Sequence, residues 1–141
     1  MKPKVFISYH RHDSSGHAGR LVQSLKSSFL PFHDLSGISA GEDWLKAIVG
    51  HIRTSQAMLC VIGPRWKASE IIQIELKASW EHEVPTFPVL VDGACMPREL
   101  PEILLPLTSI HAAELTDSRW DYDVRELTKA IRRRLLAPCA P

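Results

Sequence analysis

Glu75 lies on a segment with helical spacing that leads into the apolar run "TFPVLVD", and Tyr9, His10 and Arg11 stand where an earlier apolar run ends. An arginine at a strand end can grip a phosphate through two parallel N–H bonds, and a tyrosine can pack on a base or a ribose. Each also has an ordinary structural reading, Tyr9 as a core-edge aromatic and Arg11 as a solvated cation. Glu70, Glu81 and Glu83 share the segment of Glu75, and a lone carboxylate on a helix is not by itself a site. His10-x-His12 would suit a metal on a strand edge, but the pair falls in a loop. The seven histidines and three cysteines form neither a zinc spacing nor a CxxC pair, so no metal ligand set is expected. GxGxxG, GxxxxGK[ST] and GxSxG are all missing, which argues against a dehydrogenase, a P-loop nucleotidase and an esterase.

Alternating strands and helices must position these residues. "KVFISY" reads as a buried strand, and "SGHAGRLVQSLKSSF" follows as a helix with Ala18, Leu21, Val22, Leu25 and Phe29 on one face. A short strand near Leu30–His33 precedes the loop "DLSGISAGED", where Gly37 and Gly41 open backbone angles closed to other residues. From Trp44 the stripe Trp44, Leu45, Ile48, Val49 and Ile52 is helical. "AMLCVIG" is continuously apolar, as in a strand covered on both faces, and should hold Cys60 as a buried thiol. Ser69 can cap a helix that runs to about Glu83, with Glu70 in its first turn. "TFPVLVD" is a fourth strand interrupted by Pro88. "MPRELPEILLPL" is punctuated by prolines into short turns or a broken helix, "TSIHAAEL" supplies an edge strand, and "DYDVRELTKAIRRRLL" closes the domain.

Repeated strand-helix units require a parallel sheet with helices on both faces. The expected class is α/β: a flavodoxin-like three-layer sandwich with a five-stranded parallel sheet flanked by helices. Ligands of such sheets bind beyond the carboxyl ends of the strands, where strand order reverses. The loop after the first strand, the loop Asp34 to Asp43 and the region Gly63 to Glu75 should converge there.

The chain of 141 residues suits one domain, and its 45% hydrophobic and 23% charged content argues against disorder. A net charge of +1 gives no reason to expect direct binding to nucleic acid or to a membrane surface. "RRR" at Arg132–Arg134 reads as a solvated helix end. Without a signal-like apolar stretch or a spanning run, a reducing cytoplasm is the expected compartment.

Four stretches in order resemble the Toll/interleukin-1 receptor (TIR) domain family, particularly its bacterial members. "VFISYHRHDS" is similar to the first box of the family, and "FHDLSGISAGEDW" to its second box and BB loop. "CVIGPRW" resembles the following strand and its exit, and "IELKASWEHEVPTFPVLVDG" the glutamate-bearing helix and fourth strand. The resemblance runs from Lys4 to Leu135. It implies a TIR domain over residues 1–136, with 137–141 as a tail or linker to a fused sensor or oligomerising domain.

The resemblance also implies an activity. Many relatives cleave NAD⁺ at the nicotinamide–ribose bond, and a glutamate at the position of Glu75 is their catalytic residue. NAD⁺ would be a substrate, with no cofactor. Nicotinamide departs neutral, so no general acid is needed, and one carboxylate can stabilise the oxocarbenium-like ribosyl cation. Water capture gives ADP-ribose, and capture by an adenine nitrogen gives a cyclic product. By the same carry-over Tyr9, His10, Arg11, Asp34, Ser39, Ala40, Gly41 and Ile71 would line the substrate cleft. Trp44 would anchor the loop, with a place in the core as its main contribution. Relatives act by head-to-tail self-association, one copy completing the pocket of the next, in bacterial immune or stress signalling.

Three features depart from the family pattern, one being that the connection between Trp66 and Glu75 is short compared with many bacterial members. Ile71 stands where active relatives often carry an aromatic residue, so Trp66 is a candidate to take over stacking. Ser39-Ala40 stands where proline is common. The alternative reading is a non-catalytic TIR–TIR interaction module, and a third is a nucleoside or base-transfer enzyme with a lone glutamate.

Overall fold

In the computed structural model, residues 2–32, 41 and 43–136 are described. Five strands, β1 (Lys4–Tyr9), β2 (Leu30–Phe32), β3 (Ala57–Ile62), β4 (Thr86–Val91) and β5 (Ala113–Leu115), form one parallel sheet in the order β2-β1-β3-β4-β5. This is the flavodoxin-like order, with the reversal point between β1 and β3. The helices are α1 (Arg11–Leu25), α2 (Trp44–Arg53), α3 (Glu70–Glu81) and α4 (Trp120–Leu136). Short 3₁₀ helices cover Glu102–Ser109 and Asp117–Arg119, the first carrying Pro106 inside it, as the proline punctuation suggested.

Every residue of β3 is buried because the strand is sandwiched. Its alternate side chains feed two apolar layers. Val5, Ile7, Leu59, Val61 and Val89 face α1 and α4, meeting Leu21, Leu25, Val124 and Ile131. Phe6, Met58, Cys60, Ile62 and Leu90 face α2 and α3, meeting Ile48, Ile52, Ile72 and Leu76. Each fully buried side chain of this size contributes about 1.5–3 kcal/mol, so the doubly covered centre holds the sheet together. Pro88 sits in β4 without breaking it. Pro85 O accepts from Met58 N, so alternation turns the ring nitrogen of Pro88 away from β3, and β5 joins β4 only from Val89 onward.

Some boundaries differ from the sequence expectation. α1 starts at Arg11 rather than Ser15, because the His10 ring caps it by accepting from His12 N at 3.3 Å. A kink at Ser14 (φ −132°, ψ 27°) separates that first turn from the rest. His10-x-His12 is therefore a helix start, not a loop. Phe29 is a core residue, but it follows the helix instead of belonging to it. α3 ends at Glu81, and Glu83 takes a positive φ of 56° beyond it. The tail 137–141 lies outside the described residues.

Candidate active site

At the carboxyl ends of β1 and β2 lies a cleft of about 390 Å³. β1 brings Phe6, Ile7 and Tyr9 to it, and the start of α1 brings His10, Arg11 and His12. Phe32, Trp44 and Ile48 form the opposite side, and Ser69, Ile71 and Glu75 come from the α3 side. Of the residues expected at the site, Tyr9, His10, Arg11, Ile71 and Glu75 meet in this cleft. Gly41 is exposed, with a φ of 89° that suits glycine, and does not line the cleft. Asp34, Ser39 and Ala40 lie outside the described residues.

Burial separates Glu75 from its rivals. Glu70, Glu81 and Glu83 are exposed, whereas Glu75 is 8% exposed. α3 starts where Ser69 Oγ accepts from Ile72 N at 3.4 Å, with Glu70 in the first turn. That phase turns Ile72, Glu75, Leu76 and Ser79 toward the sheet. Glu75 Oε1 accepts a 3.0 Å hydrogen bond from Ser8 Oγ on β1, and Ser8 is level with Cys60 on β3. Among the described residues no cationic side chain pairs with this carboxyl. Burial pushes its pKa up from 4.5 to about 7, against a smaller downward pull from Ser8. Burial also drives the Cys60 thiol up, helped by the nearby Glu75 charge, so Cys60 is an inert buried thiol and no nucleophile.

A second polar contact joins the start of α1 to the exit of β3. Asp13, in the first turn of α1, accepts from Gly63 N at 2.9 Å and from Arg65 N at 2.7 Å. A Cβ on Gly63 would stand 2.5 Å from Asp13 Oδ2, so the close approach itself requires glycine there. This clamp ties the exit of β3 to the helix that carries Arg11.

Two tryptophans are not where the sequence put them. Trp44 is 48% exposed and walls the cleft instead of filling the core, with Leu45 also exposed behind it. The core-facing residues of α2 are Ile48 and Ile52, because Asp43 caps the helix and sets Trp44 in its outward first turn. Trp66 packs into the α2–α3 layer beside Ile72 and does not reach the cleft, so it cannot stack there in place of the missing aromatic.

On the α1 face of the sheet, His17, Asp92 and Asp117 bring one donor atom each within 4.8 Å of one another. Arg20 lies 3.3 Å from the Asp117 oxygen that His17 meets at 3.1 Å. A guanidinium already occupies that carboxylate, and the cluster is an ion-pair network.

The sequence profile of the TIR domain family matches residues 5–130. The chain belongs to the TIR domain family. Among solved structures, a metazoan TIR-STING receptor from C. gigas, in complex with 2',3'-cGAMP, is similar over 90% of this chain and 38% of its own, with 26% identity and a TM-score of 0.69. The chain thus spans well under half of that receptor. The TIR domains of the activated Roq1 resistosome, which directly recognises the pathogen effector XopQ, match 96% of this chain and 100% of theirs at 17% identity and a TM-score of 0.66. A prokaryotic SEFIR domain matches 99% of both chains at 16% identity and a TM-score of 0.61, a likeness of fold. No curated protein sequence matches the chain closely.

Several residues at the cleft escaped the sequence reading: His12, Phe32, Ile48 and Ser69 line it, and Ser8 lies buried behind Glu75. Ser8 had a readable signal, a lone hydroxyl inside the apolar strand "KVFISY". Phe32 and Ile48 carry none, since nothing in their spacing separates cleft wall from core. Among the described residues no helix is long and apolar enough to cross a membrane.

Proposed function

We propose that this TIR domain is an NAD⁺ glycohydrolase that works through Glu75 and is activated by self-association. The observation that carries the reading is a buried carboxyl in a cleft wall with no cationic partner among the described residues. A buried carboxylate is costly unless it keeps a proton or meets a positive charge, and a cationic ligand would supply that charge. In NAD⁺ the charge lies on the pyridinium ring and passes to the ribose as the bond breaks. The C1′–N electron pair leaves with nicotinamide, which becomes neutral, and C1′ is left as an oxocarbenium-like centre beside Glu75. A water oxygen then bonds to C1′ and sheds its proton, giving ADP-ribose, or an adenine nitrogen takes that place and closes a ring. Arg11 and His10, which line the cleft, would take the phosphates, and Tyr9 and Trp44 would lie flat against a ring. Trp44, half-exposed on the cleft wall, is also where a second copy would complete the pocket.

One observation favours a docking module for other TIR domains instead. Ile71 offers area but no aromatic face one helical turn before Glu75. The two readings part when concentrated protein is incubated with NAD⁺ and nicotinamide, ADP-ribose and cyclic products are resolved. Turnover per molecule that rises with protein concentration, and disappears in a folded Glu75→Ala variant, is the expected result. No nicotinamide at any concentration would leave only the docking module, and equal turnover in Glu75→Ala would end the assignment of Glu75.

A further inference from the structure

We propose that Ser8 is the positioning residue for Glu75, its hydroxyl holding Oε1 so that the second carboxylate oxygen is left for the ligand. The role of Glu75 in turnover belongs to the function proposed above, but the Ser8–Glu75 coupling can be read without it.

The geometry points to Ser8 for three reasons. Ser8 is 1% exposed on β1, in the layer otherwise lined by Phe6, Met58, Cys60 and Ile62, and Ser8 Oγ lies 3.0 Å from Glu75 Oε1. Among the described residues it is the only side-chain hydrogen-bond partner that the carboxyl has. The thiol of Cys60, level with it on β3, is a weak donor and no substitute. A lone hydroxyl in an apolar layer is costly there unless bonded, and this one is aimed at the one acid in reach. One bond satisfies one oxygen and fixes the rotamer, and the other oxygen keeps its lone pairs free. A hydroxyl donor also favours the anion over the acid, which is the form a cationic ribose requires.

Among the described residues the other titratable groups near Glu75 are Cys60 from β3, Tyr9 at the end of β1, and His10, Arg11 and His12 at the start of α1. From α2 the facing residues are Trp44 and Ile48, which do not titrate, and Glu70 on α3 itself is exposed. These groups are common to every Ser8 variant and cancel in a comparison.

The test is a carbon-13 NMR titration of the side-chain carboxyl of Glu75 in the full chain, its signal assigned by its loss in Glu75→Gln. Wild type is compared with Ser8→Ala, with the weak-donor Ser8→Cys, and with Ser8→Thr, which keeps the hydroxyl. The midpoint should rise by about one pH unit in Ser8→Ala, rise nearly as far in Ser8→Cys, and return toward wild type in Ser8→Thr. Where NAD⁺ is cleaved, the limb of the kcat profile that depends on ionised Glu75 should move by the same amount, with KM little changed. A midpoint that stays put in folded Ser8→Ala and Ser8→Cys overturns the proposal, because a purely structural serine lowers Tm without moving it. A midpoint that moves in a protein that never cleaves NAD⁺ upholds the positioning and removes only the glycohydrolase.

Discussion

Replacing Glu75 by glutamine keeps the shape of the side chain and removes its titration. In the folded protein, burial holds the carboxyl near pKa 7, above its ordinary 4.5, while Ser8 pulls the other way. Between those two values the native state keeps a proton that the unfolded chain has already released. Stability conferred by this group is therefore complete below the lower value and is lost as pH rises through the upper one. With ~1.4 kcal/mol per unit, the gap between Glu75→Gln and wild type should open by about 2.5 kcal/mol from pH ~5 to pH ~8 in favour of the variant. For a domain of this size that is roughly 8 °C in Tm. The other ionisable groups are common to both proteins and drop out of the difference. Urea unfolding of the two ligand-free proteins across the range reads the gap directly, and the same Glu75→Gln protein should have lost NAD⁺ cleavage by a factor of about 10²–10³. A variant that gains stability while losing activity is the signature of a residue held in a costly state for its chemistry. A gap that stays flat with pH, or a variant that weakens as pH rises, refutes the buried, proton-holding carboxyl.

Asp13→Ala strips the acceptors from Gly63 N and Arg65 N and should cost about 1–3 kcal/mol in urea unfolding. Gly63→Ala should cost a similar amount through the clash of its Cβ with Asp13, but much less when Asp13 is already alanine, so a double-mutant cycle reads the contact itself. Trp44→Ala should change stability by less than about 1 kcal/mol, because the ring is half-exposed, yet weaken NAD⁺ binding to the Glu75→Gln protein about tenfold by calorimetry.

The fold was readable because its signals are long: the continuous apolar run of β3, the helical stripes of α1 and α4, and the strand-helix alternation leave few arrangements open. What escaped was set by single contacts. The first turn of α1 depends on a histidine ring acting as a cap, which propensity does not anticipate, and it moved Arg11 and Asp13 from loop to helix. Trp44 was misassigned because an apolar residue at the start of a helical stripe looks inward until the cap at Asp43 fixes the phase. The inward turn of Glu75, by contrast, was available: Ile72, Leu76 and Ser79 mark the buried side of α3, and Glu75 falls between them while Glu70 and Glu81 do not. Ser8 interrupts an apolar strand in the same way. Taken separately, a glutamate on a helix and a serine in a strand are ordinary tolerated exceptions. Pairing them requires the sheet order that places β1 beside β3 and beneath α3, which no local pattern contains. Two polar residues that each break their own element's pattern, and meet only in the folded chain, are the ground on which the site is proposed.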